Sequence, residues 1–361
     1  MQMTKEQKDK MLSERGIVVY DRIKPSVSKY NTVSLFSGIG GFDLGFMYAG
    51  FNVTWANDFD KYACETYIAN VGKHICCGDI RIEKKSIPPH DVLIGGFPCQ
   101  PFSTLGKLQG FDDEAGRGTL FFQITDIIQK HKTKVVVLEN VKNIMNHDNG
   151  ETFKRILNEL DDIGYKPYYH VFNSQNYGVP QRRNRCYIVA FKKDCFKDLP
   201  EKNEDFPFPG KEFEDKDPRL NTLKMLDENV DAKYFLTKKI EKTIMGKGTK
   251  NYIANPTIDL PISKTLTATM HKMHRACQDN YVTDIRNYNK CNKEEKDKRV
   301  PLRKLTPNEC RQLQGFPSKW EKVVSDCQAY KQFGNAVTVN VSYALADFLF
   351  GYITTHKIGN W

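Results

Sequence analysis

From residue 31 onward, apolar positions fall into short runs separated by longer amphipathic stretches. Residues 32–36, 52–57, 74–77, 91–95 and 134–139 read as strands, and 168–173 and 186–191 as two more. Helix-like patterning occupies 42–50, 61–70, 120–132 and 151–163. Strands alternating with helices predict an α/β fold, a mostly parallel sheet with helices on both faces.

The texture shifts after residue 191. Residues 192–300 carry charge runs, Pro207, Pro209, Pro218, Pro256 and Pro261, and little sustained periodicity, which predicts a second, smaller and loop-rich unit. Order resumes at Pro301. Thr306-Pro307-Asn308-Glu309 has the residues of a capping box with proline in the first turn, so a short helix should open there. The strongly apolar stretch 337–352 predicts a helix that needs a core, so the chain should return to its first unit. Residues 1–29 are polar and charged, with a short exposed helix over 5–15. The expected divisions are an extension at 1–29, a main domain at 30–191, a smaller one at 192–325 that includes the motif at 301–317, and a returning segment at 326–361.

With 361 residues, the chain can bury two cores. Lys and Arg outnumber Asp and Glu by 54 to 44, a net charge of +10. A polyanionic partner fits that balance, and so does ordinary solubility. The ten cysteines include no C-x-x-C pair, and the first residues form no apolar signal segment, which leads to the expectation of free thiols in a reducing cytoplasm. No apolar stretch looks near the ~20 residues that span a bilayer, so no membrane association is expected.

Chemistry concentrates where predicted strands end. Cys99 follows 91–94 in Gly95-Gly96-Phe97-Pro98-Cys99-Gln100-Pro101-Phe102-Ser103. Loops at the carboxyl ends of strands are where open α/β sheets hold ligands. A thiol there is either a nucleophile, given a stabilised thiolate, or a small buried hydrophobe. Ser37-Gly38-Ile39-Gly40-Gly41 follows the first strand and leads into a helix, which suits close approach of backbone to a ligand. The spacing is not G-x-G-x-x-G, which favours a nucleoside over a dinucleotide. Asp58, about twenty residues on, is placed for ribose hydroxyls, and Asp79 for an adenine amino group. Glu139 ends 135–138 and should face the same crevice.

Taken together, these segments resemble the motif set of DNA cytosine-C5 methyltransferases of the bacterial restriction–modification type. The resemblance runs through Phe36-Ser37-Gly38-Ile39-Gly40-Gly41-Phe42, Asn57-Asp58, Gly78-Asp79-Ile80, the Cys99 segment and Glu139-Asn140-Val141. It continues in Tyr177-Gly178-Val179-Pro180-Gln181-Arg182-Arg183-Asn184-Arg185, Leu313-Gln314-Gly315-Phe316-Pro317 and Gln332-Phe333-Gly334-Asn335-Ala336-Val337. It implies a Rossmann-like methyltransferase fold, S-adenosyl-L-methionine as donor, and a target-recognition domain between Arg185 and Leu313. Phe36 would lie against the adenine, and Ser37, Gly38, Ile39, Gly40 and Gly41 would hold the methionine end. Asp58 would take the ribose and Asp79 with Ile80 the adenine, while Pro98, Asn335 and Val337 complete the pocket. Cys99, Glu139, Arg183 and Arg185 would form the catalytic set.

The chemistry explains those types. Carbon 5 of cytosine is a poor nucleophile until a thiolate adds at carbon 6, and a carboxyl at ring position 3 can stabilise the charge that builds. A base inside a duplex must be flipped out to reach such a thiol. The glycine-rich stretch 99–118 is expected to close over DNA as a lid. Expected DNA contacts are Gln100 and Ser103 after the cysteine, Arg182, Lys247 and Thr249 in the 246–250 loop, Thr265 in a Thr-Leu signature, and Lys272 and Arg275. His271, His274 and Cys277 lack an evident fourth zinc ligand, so no metal is expected. The expected partner is double-stranded DNA, with the enzyme a monomer in the bacterial cytosol. A restriction endonuclease would be a functional counterpart without a stable complex. A tRNA cytosine-C5 methyltransferase and a catalytically silent DNA-binding regulator are the alternatives.

Overall fold

The computed structural model describes residues 3–21, 29–97, 120–249, 252–359 and 361. Helix α1 (Lys5–Arg15) begins at Thr4, which forms a capping box with Gln7. There follow β1 (Lys29–Leu35), α2 (Gly41–Ala49), β2 (Phe51–Asp58), α3 (Lys61–Asn70), β3 (Ile75–Cys77), the one-turn α4 (Ile80–Glu83) and β4 (Val92–Gly96). Beyond them come α5 (Leu120–His131), β5 (Val135–Val141), α6 (Glu151–Asp162), β6 (Tyr165–Asn173), the short β7 (Gln181–Arg182) and β8 (Asn184–Lys192).

Among the described residues these strands pair as a seven-stranded sheet in the order β3-β2-β1-β4-β5-β8-β6. Strands β1 to β5 run parallel. Strand β8 is antiparallel to both its neighbours, β5 and β6. The sheet is thus mostly parallel, as the pattern predicts. Strand β6 starts at Tyr165, earlier than the expected 168, and carries Pro167 opposite Ala190. It is the last strand of the sheet, and an edge tolerates a residue without an N–H.

The second part of the chain is built from short pieces. They are β9 (Phe235–Thr237), α7 (Lys238–Ile244), β10 (Gly248–Thr249), β11 (Tyr252–Ile253), β12 (Ser263–Lys264), β13 (Tyr281–Thr283), α8 (Ile285–Lys290), α9 (Lys293–Lys298) and β14 (Arg299–Lys304). A small antiparallel sheet, β13-β14-β9, centres on Arg303, which is fully buried between the carboxylates of Asp284 at 2.8 Å and Glu309 at 2.7 Å. Burying a charge is tolerated only when it is paired, and here the pairing welds this sheet to α10 (Pro307–Leu313). The capping box of Thr306 and Glu309 forms as expected. Last come α11 (Asp326–Asn335) and α12 (Val339–His356).

Alternation along the strands fills two cores. Val92 and Ile94 of β4, with Val135 and Val137 of β5, pack under Phe42 and Phe46 of α2 and Leu345 and Leu349 of α12. Leu93, Val136 and Leu138 point the other way, onto Ile124 and Ile128 of α5 and Ile156 and Leu160 of α6. Period-two side chains on a sheet covered on both sides require this division. Helix α12 does return to the first unit.

Two expectations change. The region Asp326–His356 holds a stretch long and apolar enough, by composition, to cross a membrane, which the sequence reading had excluded; 72 % of that stretch is buried against the sheet and its neighbours, as in a core helix. The polar reading of 1–29 also overlooked Ile17-Val18-Val19-Tyr20, which is at most 5 % exposed and lies in a third core with Leu313, Phe316 and Phe333. Val18 donates its N–H to Gly178 and its carbonyl accepts from Asn340, so the segment is tied to the motif regions at both ends.

At the opposite end of the sheet from the strands' carboxyl termini, His90 is buried between the carbonyl of Pro88 and the hydroxyl of Thr133, both at 2.8 Å. Burial, with His131 beside it, pulls its pKa down to about 4. The unfolded chain therefore takes up this proton below pH 6.5 while the folded chain does not until about 4. This group should cost about 3 kcal/mol of stability as pH falls through that window, at ~1.4 kcal/mol per unit. Urea denaturation at pH 7, 5.5 and 4.5 should show a shallower acid loss for His90→Gln than for the unaltered chain.

Candidate active site

The carboxyl ends of β1, β2, β4 and β5 form one rim. Gly96 at the end of β4 is paired with Glu139 in β5. A Cβ built on Gly96 would lie 3.5 Å from Glu139 Oε2, so the carboxylate faces the residue that leads into Phe97. Asn140 Nδ2 donates to the Phe97 carbonyl at 3.0 Å. Cys99, Pro98, Gln100, Ser103 and the expected lid at 99–118 lie outside the described residues.

Glu139 is nearly buried and pairs with Arg185 at 3.2 Å, Oε1 to Nε. The two meet diagonally across the antiparallel β5–β8 ladder, in which Glu139 faces Tyr187 and Val141 faces Arg185. Burial pushes the Glu139 carboxyl above its ordinary pKa, and the charges of Arg185 and Arg183 oppose that rise. A carboxyl so poised can accept or give up a proton near the reacting centre.

Arg183 has a different set of partners. It is 2 % exposed, and its guanidinium donates to three backbone carbonyls: Leu266 at 3.0 Å, Gly334 at 3.2 Å and Ala336 at 2.8 Å. Gln181, in the same motif, donates to the Leu313 carbonyl at 2.8 Å and accepts from the Leu266 N–H at 2.9 Å. Gln314 donates in turn to Ala336 and accepts from Thr338. Gly334 leaves no room for a side chain, since a Cβ there would stand 2.2 Å from the Thr267 backbone. Motifs 130 to 150 residues apart are thus locked together.

The glycine loop turns at the end of β1. Gly38 has φ +55° and donates to Asp58 Oδ2 at 2.8 Å, and a Cβ placed on it would meet nothing within 4 Å. The loop is therefore tied down from one side and open on the other. Ser37 and Ile39 are buried, Gly40 packs over Tyr67, and Gly41 comes so close to the Val337 carbonyl that a Cβ would clash at 2.2 Å. Phe36 is half-buried against the core that includes Ile80, Phe97 and Phe121. Asp58 ends β2, as expected, and burial raises its pKa. Asp79 does not end a strand: it caps α4, and its carboxylate is held by Arg81 at 3.0 Å. Asn335 is exposed beside buried Val337.

One residue escaped the sequence reading. Phe59, directly after Asp58, is 80 % exposed at this rim. An aromatic following the acidic residue at a strand end was the available signal. The open space over Gly38, this ring and the two carboxylates suit a nucleoside-bearing ligand.

Two of the residues expected to contact DNA, Arg182 and Thr265, are neighbours. Strand β12 runs parallel to β7, with Lys264 opposite Arg182, and the Thr265 hydroxyl donates to the Arg182 carbonyl at 2.6 Å. Arg182, Lys272 and Lys247 are exposed and Arg275 is half-buried. Lys247 precedes the β10–β11 hairpin that contains Thr249. His274 is paired with Asp279 at 3.1 Å, and His271 meets the Ala268 carbonyl.

This is the architecture of a methyltransferase with an α/β catalytic sheet and a separate smaller module. The family model for C-5 cytosine-specific DNA methylases matches residues 30–350, and the chain belongs to that family. It is 39 % identical over 330 residues to the type II methyltransferase M.SsoII of Shigella sonnei, covering 88 % of this chain and 79 % of that one. With M.HaeII of Haemophilus aegyptius the identity is 37 %, covering 92 % and 97 %. Among solved structures, the S. pombe Dnmt2 methyltransferase superposes with a TM-score of 0.67 at 20 % identity, covering 90 % of this chain and 99 % of that one, a likeness of fold. The protein is a DNA (cytosine-5-)-methyltransferase.

Removing the Arg183 donors should take a hydrogen bond from three buried carbonyls, of which Ala336 keeps Gln314 as a donor. Arg183→Met, which keeps the apolar stem, should destabilise the chain by about 2–4 kcal/mol in urea denaturation, and Arg183→Lys by less, because one donor can be retained.

Proposed function

We propose that the protein transfers a methyl group from S-adenosyl-L-methionine to carbon 5 of a flipped-out cytosine in double-stranded DNA, through a covalent adduct on Cys99. The observation that carries this reading is the pairing of buried, arginine-backed Glu139 with Gly96, three residues before Cys99. The donor supplies an electrophilic methyl group. Phe36, Phe59, Asp58 and the 37–41 turn are suited to hold it, with Asp79, Ile80, Pro98, Asn335 and Val337 completing the pocket.

In this reading the Cys99 thiolate adds to carbon 6 of the ring. Glu139, its pKa raised by burial, hydrogen-bonds ring nitrogen 3 and stabilises the charge that develops there. Arg185 keeps that carboxyl aimed across the ladder and adds positive potential for the thiolate. Carbon 5, now enamine-like, takes the methyl group. Loss of the carbon 5 proton to water or hydroxide then expels Cys99 and restores the ring. Arg183 positions rather than reacts. Arg182, Lys247, Thr249, Thr265, Lys272 and Arg275, with Gln100 and Ser103, are proposed to contact DNA. The setting would be the bacterial cytosol, as the modification arm of a restriction–modification system, with the enzyme acting as a monomer.

The curated relatives favour DNA over tRNA, since they are type II methyltransferases at 35–39 % identity. Bisulfite sequencing of DNA from cells expressing the chain should reveal methylcytosine at one short sequence. Cys99→Ser should abolish it, and Glu139→Gln should lower the rate by about 10²-fold or more while DNA binding persists. Methylation surviving in Cys99→Ser, or appearing on tRNA and not duplex DNA, would overturn the proposal.

A further inference from the structure

Beneath the glycine turn lies a buried carboxylate that the mechanism above does not use. Asp43, in the first turn of α2, is 0 % exposed. Ser34 donates its hydroxyl to Asp43 Oδ2 at 2.9 Å, and Tyr67 donates to Oδ1 at 2.8 Å. With its hydrogen committed, the Tyr67 hydroxyl accepts from His74 Nε2 at 2.8 Å, which assigns the proton of that imidazole. On the other branch the Ser37 hydroxyl lies 2.9 Å from Ser34 Oγ and accepts from the Asn57 N–H at 3.3 Å. The Tyr67 ring also forms the floor of Gly40, where an added Cβ would come within 3.0 Å of it. The Asp43 carboxylate orders the Ser34 and Tyr67 hydroxyls directly, and Ser37, which also donates to the Ser34 carbonyl at 3.1 Å, through Ser34. The two ends of this chain of bonds are a half-buried histidine and the turn Ser37-Gly38-Ile39-Gly40.

We propose that Asp43 is a positioning residue for the methyl donor: its carboxylate draws Ser34, Ser37 and Tyr67 against the underside of the 37–40 turn and holds the turn in its receiving shape. This rests on the reading that the turn holds the donor. Protonation turns one oxygen of this buried carboxyl into a donor, which two hydroxyls already arranged as donors to it do not match. Burial pushes the Asp43 carboxyl up to about 6, with Asp58 adding to the rise and the Tyr67 and Ser34 donors opposing it. Below that pH the carboxyl becomes a donor, one hydroxyl must turn away, and the turn loosens. The groups that face Asp43 are Ser34 from β1, Asp58 from β2 and Tyr67 from α3, with His74 behind Tyr67. Burial lowers the His74 pKa, so it must be tested separately.

The experiment is calorimetric titration of the full chain with S-adenosylmethionine at pH 5.5, 6.5 and 7.5, beside steady-state kinetics on duplex DNA. At pH 7.5, Asp43→Asn should weaken donor binding about tenfold and Tyr67→Phe about threefold. KM for the donor should rise in step, with kcat at saturating donor held within about twofold. Affinity of the unaltered chain should fall between pH 6.5 and 5.5, that of Asp43→Asn should stay flat, and His74→Gln should keep the fall. Equal donor affinity in the unaltered chain and both variants overturns the proposal, as does a loss confined to kcat. Should Asp43→Asn fail to fold, Tyr67→Phe alone decides by the same criteria. An unaltered chain that does not bind the donor at all overturns the donor reading and this proposal with it, a result distinct from equal binding.

Discussion

The guanidinium of Arg183, shut away from water, has to find acceptors, and it finds them in Leu266, Gly334 and Ala336. A buried polar group left unpaired costs more than a made bond gains, and both terminal nitrogens of the guanidinium are paired while Nε is left without a partner. Because the donors of a guanidinium point in fixed directions, pairing them sets the positions of two remote segments at once. Gln181 and Gln314 repeat the demand with amides. The segments around Leu266 and Gly334 therefore stand in a defined place relative to the strand that carries Arg185 and, across it, Glu139.

On the far side of that joint, the chemistry depends on strand ends. Parallel strands β4 and β5 bring Gly96 level with Glu139, and the antiparallel β8 brings Arg185 diagonally against it. Two opposing influences act on the carboxyl: burial, which favours its neutral form, and arginine charge, which favours the ionised one. A group acted on in this way changes its protonation at less cost than a fully exposed carboxylate near neutral pH. The rim at β1 and β2 follows the same logic, with Gly38 bound to Asp58 on one side and open on the other. Asp79, gripped by Arg81 at the start of α4, is a more exposed participant than a strand-end acid would be.

Much of this was legible in the chain. The sheet, its helices and the returning α12 follow from periodicity, because burial on both faces leaves long apolar runs with few interpretations. Counting placed Asp58 and Glu139 at strand ends; Asp58 does end β2, whereas β5 runs two residues past Glu139, which is level with the last residue of β4. Other features were hidden for physical reasons. Ile17–Tyr20 is too short a run to stand out among charged neighbours, and only its burial against Leu313 and Phe316 explains it. Strand β6 extends through Pro167 because it lies at an edge, which no local pattern reveals. Phe59 gains meaning from its exposure beside Asp58.

By itself, the sequence determined the order of strands and helices, the family and the chemical types at the site, since these depend on near neighbours and on motif spacing. Tertiary structure alone decided what each charged group touches. Arg183 and Arg185 are two residues apart in one motif, yet one ties backbone carbonyls across a domain joint and the other pairs with Glu139. Which way a side chain points depends on the strand it sits on and on partners folded in from over a hundred residues away. Asp43 looks like any helix acid in the sequence until the fold closes Ser34 and Tyr67 around it. The physical reason is common to all of them: local patterning sets where the backbone goes, but desolvation and directional bonding act only once distant segments have met.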